Sequence, residues 1–166
     1  MSRLRKDAWL DAVDARLMLE LNQDPRATVL SLATKVGLAR NTVQARLARY
    51  DSHGALGSFE RRIEPAALGL PLTAFITTRV IQQLLDQVAK LLAGIPEVLE
   101  VFGLSGSTDL LIRVVARDAD DLYRIAGQIL ATHGVERTET ALVMGRLVNY
   151  RATPLLNRLA AANGQP

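Results

Sequence analysis

The 166-residue sequence has no cysteine, two histidines (His53 and His133) and few aromatic residues. Without cysteine there is no disulfide framework, no thiolate zinc site and no thiol nucleophile, and two histidines make a poor metal set, so metal chemistry would have to come from carboxylates. No metal site, catalytic residue or cofactor is assigned. An RNA-recognition sheet needs stacking aromatics on its central strands, and Leu110 to Val115 has none. No stretch approaches the ~20 uninterrupted apolar residues of a membrane helix, and the basic start Met1-Ser-Arg-Leu-Arg-Lys-Asp7 leads into no apolar signal core. The expectation is a cytoplasmic, nucleoid-associated protein with no membrane partner. Its 49% apolar content excludes a disordered or fibrous chain and is enough for two small cores.

The net charge of +3 is unevenly spread. Residues 1–65 hold eleven Lys/Arg against eight Asp/Glu, whereas residues 66–166 hold nine of each, so the whole excess lies in the first part. Between Arg26 and Arg62 seven basic residues, six of them arginine, face only Asp51 and Glu60. Such a patch is the footprint of a surface that meets phosphates, or a solvated face.

Apolar residues at 10, 13, 17, 18 and 21 form a helical stripe, with Asp11 as N-cap and Asp24-Pro25 closing the helix. Thr28 can cap a second helix to Val36, with Val29, Leu32, Ala33 and Val36 inward and Gly37 at its end. A third helix, roughly Arg40 to Tyr50, turns Val43, Leu47 and Tyr50 to the core and Asn41, Gln44, Ala45 and Ala48 away from it, with Arg40, Thr42, Arg46 and Arg49 flanking the seam. Helix, glycine turn and helix make a helix-turn-helix whose later helix enters the major groove, although any three-helix bundle can share the spacing. The outward residues favour DNA: Asn and Gln pair with adenine, Arg with guanine or phosphate, and alanines leave room for the groove floor. Ser58-Phe-Glu-Arg-Arg-Ile63 alternates like a short strand, read as a wing with Leu56, Phe59 and Ile63 tucked under the helices and Arg61 projecting to DNA. The DNA-binding set is therefore Arg40, Asn41, Thr42, Gln44, Ala45, Arg46, Arg49 and Arg61.

After a Pro- and Gly-marked hinge, strands at Leu72–Val80, Val98–Leu104, Leu110–Val115 and Thr138–Val148 alternate with helices at Leu84–Ile95 and from Asp118 to His133-Gly134. This βαββαβ order is that of a ferredoxin-like sheet with helices on one face. The other face, assigned Phe75, Val101, Ile112 and Val143, needs a cover, and a second copy is the simplest. A twofold dimer also spaces two recognition helices for a palindromic operator.

These residues together resemble the Lrp/AsnC family of transcriptional regulators. Leu10-Asp11-x-x-Asp14, Asp24-x-Arg26, Leu32-Ala33, Val36-Gly37-Leu38, Val43-x-x-Arg46 and Gly54 match its DNA-binding part, and Gly106-x-x-Asp109 with Arg137-Thr-Glu-Thr140 its effector module. The resemblance implies an α+β protein that dimerises through its sheets, assembles to tetramers or octamers, and binds an amino acid or similar small effector between dimers. Ala39 stands where the family usually has serine, Ser31 where it has an acidic residue, Tyr50 where it has leucine and Pro25 where it has glycine.

The candidate effector site is Gly106, Ser107, Thr108, Asp109, Thr138 and Thr140, with Asp109 pairing with an ammonium. The same loop also reads as a plain β-turn in which Gly106 supplies a positive φ and Asp109 bonds local amides. The expected organisation is a winged helix-turn-helix over 1–63, a hinge at 64–71, a ferredoxin-like ligand-binding and oligomerisation domain over 72–150 and a tail over 151–166, with a short extra helix after Thr153. The competing functions are a siroheme-decarboxylase-like enzyme on the same architecture, which needs proton donors in the sheet cleft, and a stand-alone effector or assembly module.

Overall fold

The computed structural model describes residues 9–162; the basic start and the last residues of the tail lie outside the described residues. The chain divides into two units, one comprising the chain up to Gly57 together with that from Val148, the other Ser58–Leu147.

The first unit is helical. Helix α1 (Ala12–Gln23) opens on a reciprocal cap: Asp11 Oδ1 accepts from the Asp14 amide at 2.7 Å and Asp14 Oδ2 from the Asp11 amide at 2.9 Å. Helix α2 (Val29–Val36) is capped by Thr28, whose hydroxyl accepts from the Ser31 amide at 3.2 Å. It ends at Gly37, left-handed at φ +69°, where a side chain would be strained. Helix α3 (Arg40–Ser52) starts at Ala39 with no side-chain cap. Leu17, Met18, Leu32, Ala33, Val43 and Tyr50 form the core. A helix over Thr153–Ala161 packs on α1: Leu156 joins this core and Asn22 Nδ2 donates to Thr153 Oγ1 at 3.4 Å. The tail thus contributes a fourth helix to this unit.

The second unit carries β1 (Leu72–Val80), α4 (Leu85–Leu92), β2 (Val98–Gly103), β3 (Leu110–Ala116), α5 (Ala119–Leu130) and β4 (Val135–Leu142). The sheet order is β2-β3-β1-β4 and every neighbouring pair is antiparallel, the ferredoxin-like arrangement. Ala74, Ile76 and Val80 of β1 and Leu110, Ile112 and Val114 of β3 form one face, covered by Val88 and Leu92 of α4 and Ile125 and Ile129 of α5. Gly134, which leads into β4, has φ +94°, and a Cβ there would stand 2.9 Å from Val88 Cγ2. Both its backbone and its contact with α4 require glycine.

Three sequence expectations need correction. The wing strand at Ser58–Ile63 is a 3₁₀ turn over Phe59–Arg62, with Leu56, Phe59 and Ile63 41%, 71% and 43% exposed rather than tucked in. An isolated alternating hexapeptide has no ladder to join, and the four-strand sheet pairs without it. The last strand runs over 135–142 rather than 138–148, its pairing with β1 extending from Val80 opposite Val135 to Ala74 opposite Leu142, with one further bond from the Val143 amide to the Thr73 carbonyl at 2.9 Å. Finally, Ile112 and Val101 pair with each other on the helix-covered face, where Ile112 is fully buried. Leu110 to Val115 carries apolar residues on both parities, and only Arg113, on the parity of Leu111 and Val115, marks the helix-free face. The helix-free face presents Phe75, Leu111 and Phe102, with Arg113 opposite Phe75.

Candidate functional site

Arg40, Asn41, Thr42, Gln44 and Ala45 all lie on α3 and are exposed, whereas Val43 and Tyr50 are sealed into the core. Asn41, Thr42, Ala45, Arg46 and Arg49 share one shallow concave surface. Arg46 and Arg49, although on the same helix, are turned back toward α1. Arg46 Nη1 donates to Asp11 Oδ2 at 2.9 Å and to Asp14 Oδ1, and Arg49 Nη2 donates to Asp14 Oδ2 at 2.8 Å. The Tyr50 hydroxyl donates to Asp14 Oδ1 at 2.6 Å. Arg49 also lies over the Trp9 ring at 5.0 Å, and its Nε is buried without a partner. His53 ends α3, its ring 5.2 Å from that of Trp9.

Asp14 is therefore a fully buried carboxylate that gathers three side-chain donors from one face of α3. Burial alone raises its pKa, but the hydrogen bonds from Tyr50, the Asp11 amide and Arg46 outweigh burial and hold the carboxyl below its ordinary 3.8. Burial first, and then the bond to Asp14, push the Tyr50 hydroxyl well above its ordinary 10.0. Composition and periodicity did not single out this hub. Its trace in the sequence is an aspartate set inside the apolar stripe of Leu10, Val13, Leu17 and Met18.

Arg61 lies in the second unit, where its Nη2 meets Glu100 Oε1 at 2.5 Å; Glu100 also pairs with Arg113 at 3.2 Å.

At one end of the sheet, residue Thr78 of β1 brings the two effector segments close. Its carbonyl accepts from the Asp109 amide at 2.9 Å on one side, and Thr138 is its cross-strand partner on the other. Thr140 sits two positions further along, opposite Ile76. Gly106 takes φ +131° in an exposed turn with Ser107, and Thr108 is half-buried. The Asp109 carboxylate accepts from the Val80 amide at 2.9 Å and from Gln82 Nε2 at 2.5 Å, so it latches the end of β1. The Thr78 hydroxyl beside it is buried with no hydrogen-bond partner. Among the described residues no group of three or more His, Cys, Asp or Glu is placed to hold a metal, and no helix is long and apolar enough to cross a membrane.

Comparison with known proteins covers both units. Residues 10–50 match the AsnC-type helix-turn-helix domain and residues 73–153 the Lrp/AsnC ligand binding domain. The chain is 34% identical over 142 residues to the HTH-type transcriptional regulator AldR of Mycolicibacterium smegmatis, covering 83% of each chain. It is 30% identical over 150 residues to the proline dehydrogenase transcriptional activator of Rhodobacter capsulatus, covering 88% of this chain and 97% of that one. Among solved structures, a transcriptional regulator from Neisseria meningitidis in complex with L-Met aligns with TM-score 0.76 at 25% identity, over 90% of this chain and 99% of that one. The leucine response regulatory protein LrpA of Mycobacterium tuberculosis aligns with TM-score 0.72 at 30% identity, over 84% of this chain and 96% of that one. A helix-turn-helix with an exposed polar face, a ferredoxin-like sheet and these likenesses place the chain in the Lrp/AsnC family of transcriptional regulators.

Proposed function

We propose that this chain controls transcription by reading a palindromic operator in double-stranded DNA with helix α3, as a cytoplasmic homodimer whose assembly into tetramers or octamers responds to an amino-acid-like effector. The observation that carries the reading is the exposed face of α3. Asn41, Gln44 and Ala45 point away from the core with no acidic residue among them, a composition suited to base edges, and Arg40 stands at the helix start ready for phosphate. Pairing of two such helices follows from the sheet. Its helix-free face carries Phe75, Leu111 and the 42% exposed Phe102, which a second copy would cover.

The effector site we assign is the Gly106–Asp109 turn with Thr138 and Thr140 across Thr78. The related regulator solved with L-Met supports an amino acid as the ligand class. A ligand touching two dimers favours one assembly over another only by its difference in affinity; about 1 to 3 kcal/mol of coupling changes operator affinity some 5- to 150-fold. Light scattering of the full chain, with calorimetric titration of the common amino acids, tests this part. A dimer or larger assembly that binds one of them supports it. A monomer, or a protein that binds none, removes the dimer or the effector respectively.

A further inference from the structure

Charge alone makes Asp14 a poor neighbour for DNA. A carboxylate one helix away from a surface that meets phosphates repels them, and it neutralises Arg46 and Arg49, two cations that would otherwise serve there. Yet Asp14 is fully buried, and all of its side-chain donors come from positions 46, 49 and 50 of α3. Those positions fall on one stripe of a helix. At 100° per residue, Gln44 and Ala48 lie about 160° around the axis from Arg46, and Asn41 about 140°. Gln44 lies about 140° from Arg49 and about 120° from Tyr50 as well, whereas Asn41 and Ala45 are only about 80° and about 40° from Arg49 and share a concave surface with the two arginines. The roll of α3 about its own axis, which aims Gln44, is set by what the pinned stripe holds.

Arg46 spends one nitrogen on two carboxylates, Arg49 has a buried Nε and a ring beneath it, and Tyr50 has no exposure at all. Both arginines are thus tied to a buried carboxylate, with the Arg49 side chain keeping 40% exposure and that of Arg46 23%.

We infer that Asp14 is a positioning residue for operator recognition: it and Tyr50 fix the roll of α3, with Arg46 and Arg49 acting as struts rather than as phosphate or base contacts. This rests on the DNA-binding reading above. It reassigns two of the arginines that the sequence places on DNA, and it ties discrimination between DNA sequences to a carboxylate that never touches the duplex.

The two roles predict opposite signs. If Arg46 and Arg49 were phosphate contacts masked by Asp14, removing the carboxylate charge would release them, tighten binding to every duplex and steepen its salt dependence. If they are struts, the same change lets α3 roll and lowers affinity for the cognate duplex alone.

The experiment uses the full chain and two duplexes: the tightest-binding sequence selected by the wild-type protein from a random library, and its scrambled counterpart. Fluorescence anisotropy is recorded over a series of KCl concentrations for wild type, Asp14→Asn and Tyr50→Phe. The struts predict a loss of about fivefold or more on the selected duplex, the scale of one misaimed base contact. Affinity for the scrambled duplex and the salt slope stay unchanged. Tighter binding to both duplexes, a steeper slope, an equal loss on both or no loss at all overturns the inference. Should Asp14→Asn fail to fold by circular dichroism, Tyr50→Phe decides by the same criteria, since it removes one hydroxyl and no charge. A wild-type protein that does not separate the two duplexes removes the DNA-binding reading itself, whereas any other contrary outcome removes only the role of Asp14.

Discussion

The Tyr50 hydroxyl donates a 2.6 Å hydrogen bond to Asp14 Oδ1, with both side chains sealed from solvent. This contact joins the last turn of α3 to the first turn of α1. It makes the helix pair depend on a polar group inside an apolar core, where an unpaired carboxylate is costly.

Tyr50→Phe is expected to lower the stability of the helical unit by about 1.5–3 kcal/mol, the range for a hydrogen bond to a charged group. Arg46→Ala, which strips the buried carboxylate of an ionic partner, costs more, about 3 kcal/mol or above. Urea denaturation followed by the fluorescence of Trp9, which packs against Tyr50 and Arg49, ranks the two. Equal stabilities for both variants and wild type would show that Asp14 holds nothing together. Loss of DNA binding by Arg46→Ala therefore identifies a contact only after this cost is subtracted.

The pH dependence follows from the same hub. Asp14 is held below its ordinary 3.8, and Asp121 is held well below the same value, chiefly by Arg117 and then by Arg124. A carboxyl depressed in the folded state adds stability above its unfolded pKa and loses it as pH falls through the lower folded value. Melting temperature should thus drop as pH falls from about 4 downward, and the drop should shrink in Asp14→Asn and in Asp121→Asn. An unchanged acid limb in both variants contradicts the assignment.

Gly134→Ala places a methyl group 2.9 Å from Val88 Cγ2 and forces φ +94° on an L-residue. The expected loss is about 1–3 kcal/mol in the sheet unit, read by chemical denaturation. A neutral outcome would mean that α4 yields freely at this point.

Leu156→Ala tests the tail. Leu156 is half-buried against the α1 to α3 core, so its truncation should cost about 1–2 kcal/mol, less than a fully buried leucine. A melting temperature equal to wild type would show that the last helix does not dock on α1.

Which parts of this architecture could be read from the sequence depends on whether local signals compete. Helices α1 and α2 announce themselves through caps at Asp11, Thr28 and Gly37 that agree with their apolar stripes, and α3, which has no side-chain cap, through the spacing of Val43, Leu47 and Tyr50. The βαββαβ order follows from the punctuation at Pro71, Gly94-x-Pro96 and Gly134. What failed depended on partners distant in sequence. The Ser58–Ile63 segment alternates as a strand does but finds no ladder, and the faces of Leu110 to Val115 are set by the register with β1 and β2. The Asp14 hub joins residues more than thirty positions apart, so spacing along the chain carries no direct sign of it. At the effector segment, the family resemblance grouped Asp109 with Thr138, but the latch from Asp109 to the Val80 amide required β1 to lie between them.

Recognition of DNA by the exposed face of α3 is tested most directly at Gln44, which is exposed and whose side chain makes no hydrogen bond among the described residues. The measurement is competition anisotropy of wild type and Gln44→Ala on a duplex selected by the wild-type protein and on its scrambled counterpart. Loss of one bidentate base contact predicts a fall of about 5- to 150-fold on the selected duplex, with the scrambled duplex bound as before and the melting temperature unchanged. Equal affinity of the two proteins for the selected duplex would contradict recognition through this face.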